Sequence, residues 1–191
     1  MRRGVLLLAL VALCAGCGGS KKQTFVGDAL IPPPVAPGFT LHDDAGRAVS
    51  LASQRGHYVI VTFLYTHCQD VCPIIAGNLN RALKTPTAQA AGLTVLAVSV
   101  DPKGDTAAAV RTYVKERGLV PKFHYLIGTH AQLAPVWAGF HIGVEAGVNG
   151  VVGHSSAEFL IDPTGHERLL YGKGVEPASI VSDLKTLMGK S

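Results

Sequence analysis

From Phe39 onward the chain alternates continuous apolar runs with amphipathic ones. Residues 59–65 are β-branched and aromatic with only Thr62 as a polar interruption, the pattern of a strand buried on both faces. Residues 93–100 repeat that pattern. Shorter strands are predicted over 123–127 and 158–161, the latter ending at the turn Asp162-Pro163-Thr164-Gly165 before a hairpin partner over 168–171. Between these runs, apolar positions recur at helical spacing over 74–83, 106–117, 131–140 and 177–188. This alternation predicts an α/β domain in which helices cover a central sheet. Trp137 and Phe140, at helical spacing, read as core, and Asp43-Asp44 before Gly46 reads as a solvated turn.

The ends of this pattern set the domain organisation. Arg2-Arg3, an apolar run over 4–13 and small residues around a cysteine have the layout of a secretory signal. That run is too short to span a bilayer comfortably. Ala15-Gly16-Cys17 resembles the end of a bacterial lipobox, in which the cysteine is acylated and becomes the first mature residue. Cys14 stands where that motif usually has an aliphatic residue, and an ordinary cleaved leader or an uncleaved anchor is the alternative. Three parts are expected: a lipoprotein-type signal peptide over 1–17, a Gly/Pro-rich tether over 18–38 containing Pro32-Pro33-Pro34, and one domain over 39–191. The expected location is the cell membrane, lipid-anchored, with the domain facing the periplasm or the outer side of the cytoplasmic membrane.

Composition narrows the function. At 191 residues and 48% hydrophobic content, the chain can build a proper core without disulfides or metal. Removing Arg2 and Arg3 with the leader lowers Lys+Arg from 17 to 15 against 13 Asp+Glu, and no basic run remains to engage nucleic acid. There are four cysteines. With Cys14 removed and Cys17 acylated, Cys68 and Cys72 are the only exported thiols, placed in an oxidising compartment.

These two lie in Thr66-His67-Cys68-Gln69-Asp70-Val71-Cys72-Pro73, between a predicted strand and a predicted helix start. Pro73 suits the first helical positions. A helix N-terminus favours thiolate over thiol, so the pair can hold a soft metal, form a disulfide, or do both. A third donor would select among metals. His67 adjoins Cys68, but neighbours in an extended segment point apart. His154 follows the Gly-rich loop 147–153 and opens a predicted strand, so loop freedom can bring its imidazole to another element. Two sulfurs with an imidazole suit copper better than calcium, magnesium or manganese.

Three ordered segments carry a resemblance: Phe63-Leu64-Tyr65-Thr66-His67-Cys68-Gln69-Asp70-Val71-Cys72-Pro73, then Ser99-Val100-Asp101-Pro102 with Asp105-Thr106, then Val152-Gly153-His154-Ser155 with Leu160-Ile161-Asp162-Pro163-Thr164-Gly165. Together they resemble the Sco/SenC family of copper-binding cytochrome c oxidase assembly proteins. The resemblance implies a thioredoxin-like fold, a central mixed β-sheet flanked by helices. It implies copper bound by Cys68, Cys72 and His154, with Asp70 supporting the site without binding metal and Asp101 in a structural Asp-Pro corner. Gln69 stands where the family often has proline, and Gly153 where it often has aspartate.

The function so implied is a membrane-tethered copper metallochaperone that assists assembly of the dinuclear copper centre in subunit II of cytochrome c oxidase, or serves another copper enzyme. Its other partners would be extracytoplasmic copper and thiol donors and, through the lipid anchor, the membrane. No catalytic residue is required of a metallochaperone. The alternative is a thiol-disulfide oxidoreductase that uses Cys68 and Cys72 as a redox-active pair to reduce the client's cysteines. A peroxidase fits less well, because Thr66 lies only two residues before Cys68.

Overall fold

The computed structural model describes residues 24–146, 152–172 and 174–189. The expected signal peptide, Cys17 and the start of the expected tether lie outside the described residues, as does the loop 147–151.

Among the described residues, ten strands and five α-helices follow in chain order: β1 (Asp28–Ala29), β2 (Thr40–His42), β3 (Ala48–Ser50), β4 (Val59–Leu64), α1 (Cys72–Leu83), α2 (Pro86–Ala90), β5 (Thr94–Ser99), α3 (Ala107–Glu116), β6 (Phe123–Leu126), α4 (His130–Gly139), β7 (Val144–Ala146), β8 (Val152–His154), β9 (Ala157–Ile161), β10 (Glu167–Gly172) and α5 (Pro177–Leu187). Six of the strands form one sheet in the order β1-β10-β9-β4-β5-β6. β4, β5 and β6 run parallel, joined by helical crossovers, whereas β9 returns antiparallel against β4. The sheet is therefore mixed and helix-flanked, as expected.

Every residue of β4 and β5 is buried, so the continuous apolar runs do report strands covered on both faces. On one face, Tyr171 of β10 reaches Asp183 of α5 at 3.0 Å. Side chains alternate along a strand, so Phe159 points to the opposite face, where it and Phe63 pack against Phe140 just past α4 at 5.1 and 5.7 Å between ring centroids.

Three features depart from the sequence reading. The segment read as a tether is tied to the domain over its described part: β1 pairs with β10, Ala36 donates to the Gly165 carbonyl at 3.0 Å, and Val26 and Gly27 donate to Asp183 at 2.8 and 3.0 Å. Asp43 is buried, not solvated, because its carboxylate closes the β2–β3 turn by accepting from the Ala45 and Arg47 amides and the Arg47 side chain. Lastly, His154 does not open the strand that runs to Ile161; it ends β8, and β9 begins after Ser155-Ser156.

Candidate metal centre

β4 ends at Leu64, and a short connection carries the chain past Cys68 into α1, which starts at Cys72 with Pro73 in its first turn. Both cysteines thus sit at the carboxyl end of a parallel strand and the amino end of a helix. Cys68 is 6% exposed and Cys72 0%, and both are free thiols. The Cys72 amide, one of the unpaired donors of the helix start, donates to the Cys68 sulfur at 3.4 Å.

The two sulfurs are electrostatically unequal. Burial pushes the Cys68 thiol up, but donation from the Cys72 thiol and amide, the Asp70 amide and the Tyr65 hydroxyl outweighs it and brings Cys68 below the ordinary value. Burial pushes Cys72 far up, and its own hydrogen bond to Cys68 and the nearby Asp105 charge add to the effect. One sulfur is predisposed to thiolate while the other keeps its proton.

His154 comes from the two-stranded β7–β8 sheet, where it pairs with Val144. Its ring is half-buried and stands edge-on to the Tyr65 ring, 6.0 Å between centroids at 83°. Nδ1 lies 3.0 Å from the Ser155 carbonyl. A proton on Nδ1 satisfies that contact and leaves the Nε2 lone pair for a metal. Burial lowers the imidazole pKa despite the Ser155 carbonyl, which favours the neutral, ligand-competent ring.

Tyr65 is the common neighbour of these groups. Besides reaching Cys68, its hydroxyl accepts from the Val152 amide of β8, so the strand carrying His154 is joined to the thiol loop through one phenol. The structure therefore brings Cys68 and Cys72 into contact and sets His154 against the tyrosine that touches Cys68. Asp70 is exposed and meets the site through its amide, while its carboxylate has no hydrogen-bond or ion-pair partner among the described residues. The sequence reading missed Tyr65, counted as one more residue of an apolar strand.

His67 turns to a different group, gathering with Asp101 and Asp105 so that their ligand atoms lie within 4.8 Å of one another. Asp105 is not free to bind an ion there. One of its oxygens accepts from the Thr66 amide and hydroxyl at 2.8 and 2.7 Å, and the other from Ser99 and Tyr125 at 2.6 and 3.0 Å. Asp101 accepts from the Lys103 and Gly104 amides, closing the turn that returns the chain to Asp105, in keeping with a structural corner. The sequence signal for Asp105 was an acid directly before a helix cap, Thr106, just after a buried strand.

Among the described residues no helix is long and apolar enough to cross a membrane. A family model described as SCO1/SenC matches residues 28–189. The Bos taurus protein named Protein SCO2 homolog, mitochondrial, is 32% identical over 183 residues, covering 86% of this chain and 67% of that one. Apo Sco1 from Thermus thermophilus has a similar solved structure, with a TM-score of 0.74 at 29% identity, covering 88% of this chain and 99% of that one. Arabidopsis thaliana ScoI, solved with copper bound, gives 0.71 at 28% identity, covering 81% of this chain and 99% of that one. The fold is thus the thioredoxin-like arrangement expected. The chain spans about two thirds or less of the length of the curated relatives it matches.

Proposed function

The chain belongs to the SCO1/SenC family, and from that premise we propose that it is a copper metallochaperone whose ligands are Cys68, Cys72 and His154. Its cargo would go to the dinuclear copper centre of cytochrome c oxidase or to another copper enzyme, with the domain facing the periplasm or the outer side of the cytoplasmic membrane and held there by an acylated Cys17. The observation that carries this reading is the free, hydrogen-bonded pair Cys68 and Cys72 joined through Tyr65 to the His154 strand. Two sulfurs and one imidazole are a soft and borderline donor set, which fits copper. The resemblance to a copper-bound relative, Arabidopsis thaliana ScoI, supports the same cargo.

Chemically, the Cys68 thiolate offers the first donor, Cys72 gives up its proton as copper arrives, and His154 supplies Nε2. A client with more ligands or a better geometry takes the ion by exchange. Oxidation of the pair to a disulfide removes two donors together and blocks loading. Asp70 contributes through its backbone amide, which steadies the Cys68 sulfur.

Anaerobic titration with Cu(I) tests the assignment. One equivalent should bind to the wild type, and Cys68→Ser and His154→Ala should each weaken binding by at least tenfold. Failure of the wild type to bind, or binding that His154→Ala and Cys68→Ser leave at the wild-type affinity, removes the proposal.

The unequal thiols favour a second reading, a thiol-disulfide reductase for the client's cysteines, since an attacking thiolate beside a protonated resolving thiol suits exchange. In that case His154→Ala would retain full disulfide-reducing activity while Cys68→Ser would abolish it.

A further inference from the structure

Asp105 is no ligand of the proposed centre, yet its carboxylate occupies the junction beneath the thiol loop. The residue is 4% exposed, and its carboxylate is filled by four donors from three separate places in the fold. Thr66, two residues before Cys68, gives it both an amide and a hydroxyl. Ser99 donates from the end of β5 and Tyr125 from β6. The Tyr125 ring packs edge-on against Tyr113 of α3, 5.5 Å between centroids, and the Tyr113 hydroxyl donates to the Cys72 carbonyl at 3.4 Å. Two chains of contact therefore leave one carboxylate: a direct one to the entry of the loop at Thr66, and one through two tyrosines to its exit at Cys72.

We propose that Asp105 is the positioning residue of the thiol site, fixing both ends of the Cys68–Cys72 loop and so setting the separation and approach of the two sulfurs. Charge-assisted hydrogen bonds inside a protein are roughly twice as strong as neutral ones, and a fully satisfied buried network rigidifies what it touches. Outer partners of this kind govern metal affinity by orienting the ligands, typically by 10–100-fold. The Asp101 turn serves the same end, since its bonds to the Lys103 and Gly104 amides shape the corner that delivers Asp105 inward. The inference rests on the reading of Cys68 and Cys72 as the working pair, whether for copper or for thiol exchange.

The experiment compares the wild type with Asp105→Ala, Asp105→Asn and Thr66→Val by thermal unfolding, Cu(I) affinity, and the metal-free equilibrium of the pair with glutathione. In that equilibrium the two thiols give up two protons and two electrons as glutathione disulfide is reduced to two glutathione molecules. Asp105→Ala should disfavour disulfide closure at least tenfold, about 30 mV for a two-electron couple, and weaken copper binding by about 10–100-fold. Thr66→Val, which removes one donor and leaves the Ser99 and Tyr125 bonds in place, should shift both in the same direction by roughly threefold. Asp105→Asn should recover most of both values, because the amide oxygen still accepts from Thr66 while its nitrogen donates to the Ser99 hydroxyl. If folded Asp105→Ala lies within twofold of the wild type in both readouts, the inference is overturned. Should that variant fail to fold, an unshifted Thr66→Val overturns it equally. A wild type that takes up no copper, with variants that still show the glutathione shift, would support the positioning role and remove the copper reading alone.

Discussion

Glu158 of β9 is fully buried, and among the described residues neither its carboxyl oxygens nor the Thr62 hydroxyl, from its register partner on β4, have a hydrogen-bond partner. Burial alone lifts the Glu158 pKa from 4.5 to about 8, so the fold keeps it protonated at neutral pH. Below about pH 4.5 the folded and unfolded chains both hold this proton. Between there and about 8 only the folded chain does, so stability falls as pH rises through that window. At about 1.4 kcal/mol per unit, the loss approaches roughly 4 kcal/mol by pH 8. Glu158→Gln should therefore match the wild type near pH 4.5 and exceed it increasingly up to pH 8. Urea unfolding at several pH values measures this, and parallel profiles would show that the carboxyl does not titrate as argued. At this scale Cys68 and Cys72 were legible from spacing and placement, and His154 from its place after a Gly-rich loop, with the resemblance adding to that reading. Tyr65 and Asp105 were not, because what marks them is a set of partners 6, 20 and 39 positions away for Asp105 and a strand across the site for Tyr65.

Among the elements, β1 best shows how far local pattern reaches. It has two residues, too few for any periodicity, and is a strand only because β10 offers it an edge and Asp183 of α5 receives the Val26 and Gly27 amides. Asp183 is fully buried and also accepts from Tyr171, so one carboxylate joins the amino-terminal segment, β10 and α5. Hydrogen bonds to a charged group each contribute about 1.5–3 kcal/mol. Asp183→Ala should accordingly destabilise the domain by about 3 kcal/mol or more and free the backbone of 26–29, seen as lower thermal stability and faster amide exchange there. Unchanged exchange would mean that the β1–β10 pairing alone holds the segment. The same limit explains β2 and β3, three residues each, and the five-residue α2, none of which the apolar pattern announced. By contrast, β4, β5 and the longer helices were readable because each buries enough apolar positions to impose its period on the sequence.

For the whole molecule, the proposed ligands come from two places distant in sequence, the loop after β4 and the end of β8. Copper held by both would cross-link them and stabilise the fold by mass action, about 2.7 kcal/mol at free copper one hundred times the dissociation constant. Cu(I) should raise the unfolding temperature of the wild type, a strong chelator should reverse the gain, and His154→Ala should lose most of it. A gain of equal size in His154→Ala would confine the ion to the thiol loop. The order of strands adds a directional property. Asp28 pairs with Leu170, Leu170 with Phe159 and Phe159 with Val61, and β1 runs opposite to β4. Residues 24–27, just ahead of Asp28, therefore lie toward the end of the sheet where β4 gives way to Cys68. Were the chain anchored at Cys17 as proposed, a leash continuing in that direction would hold the domain by its working end, and a client embedded in the same surface would need no turning of the domain to meet the thiols.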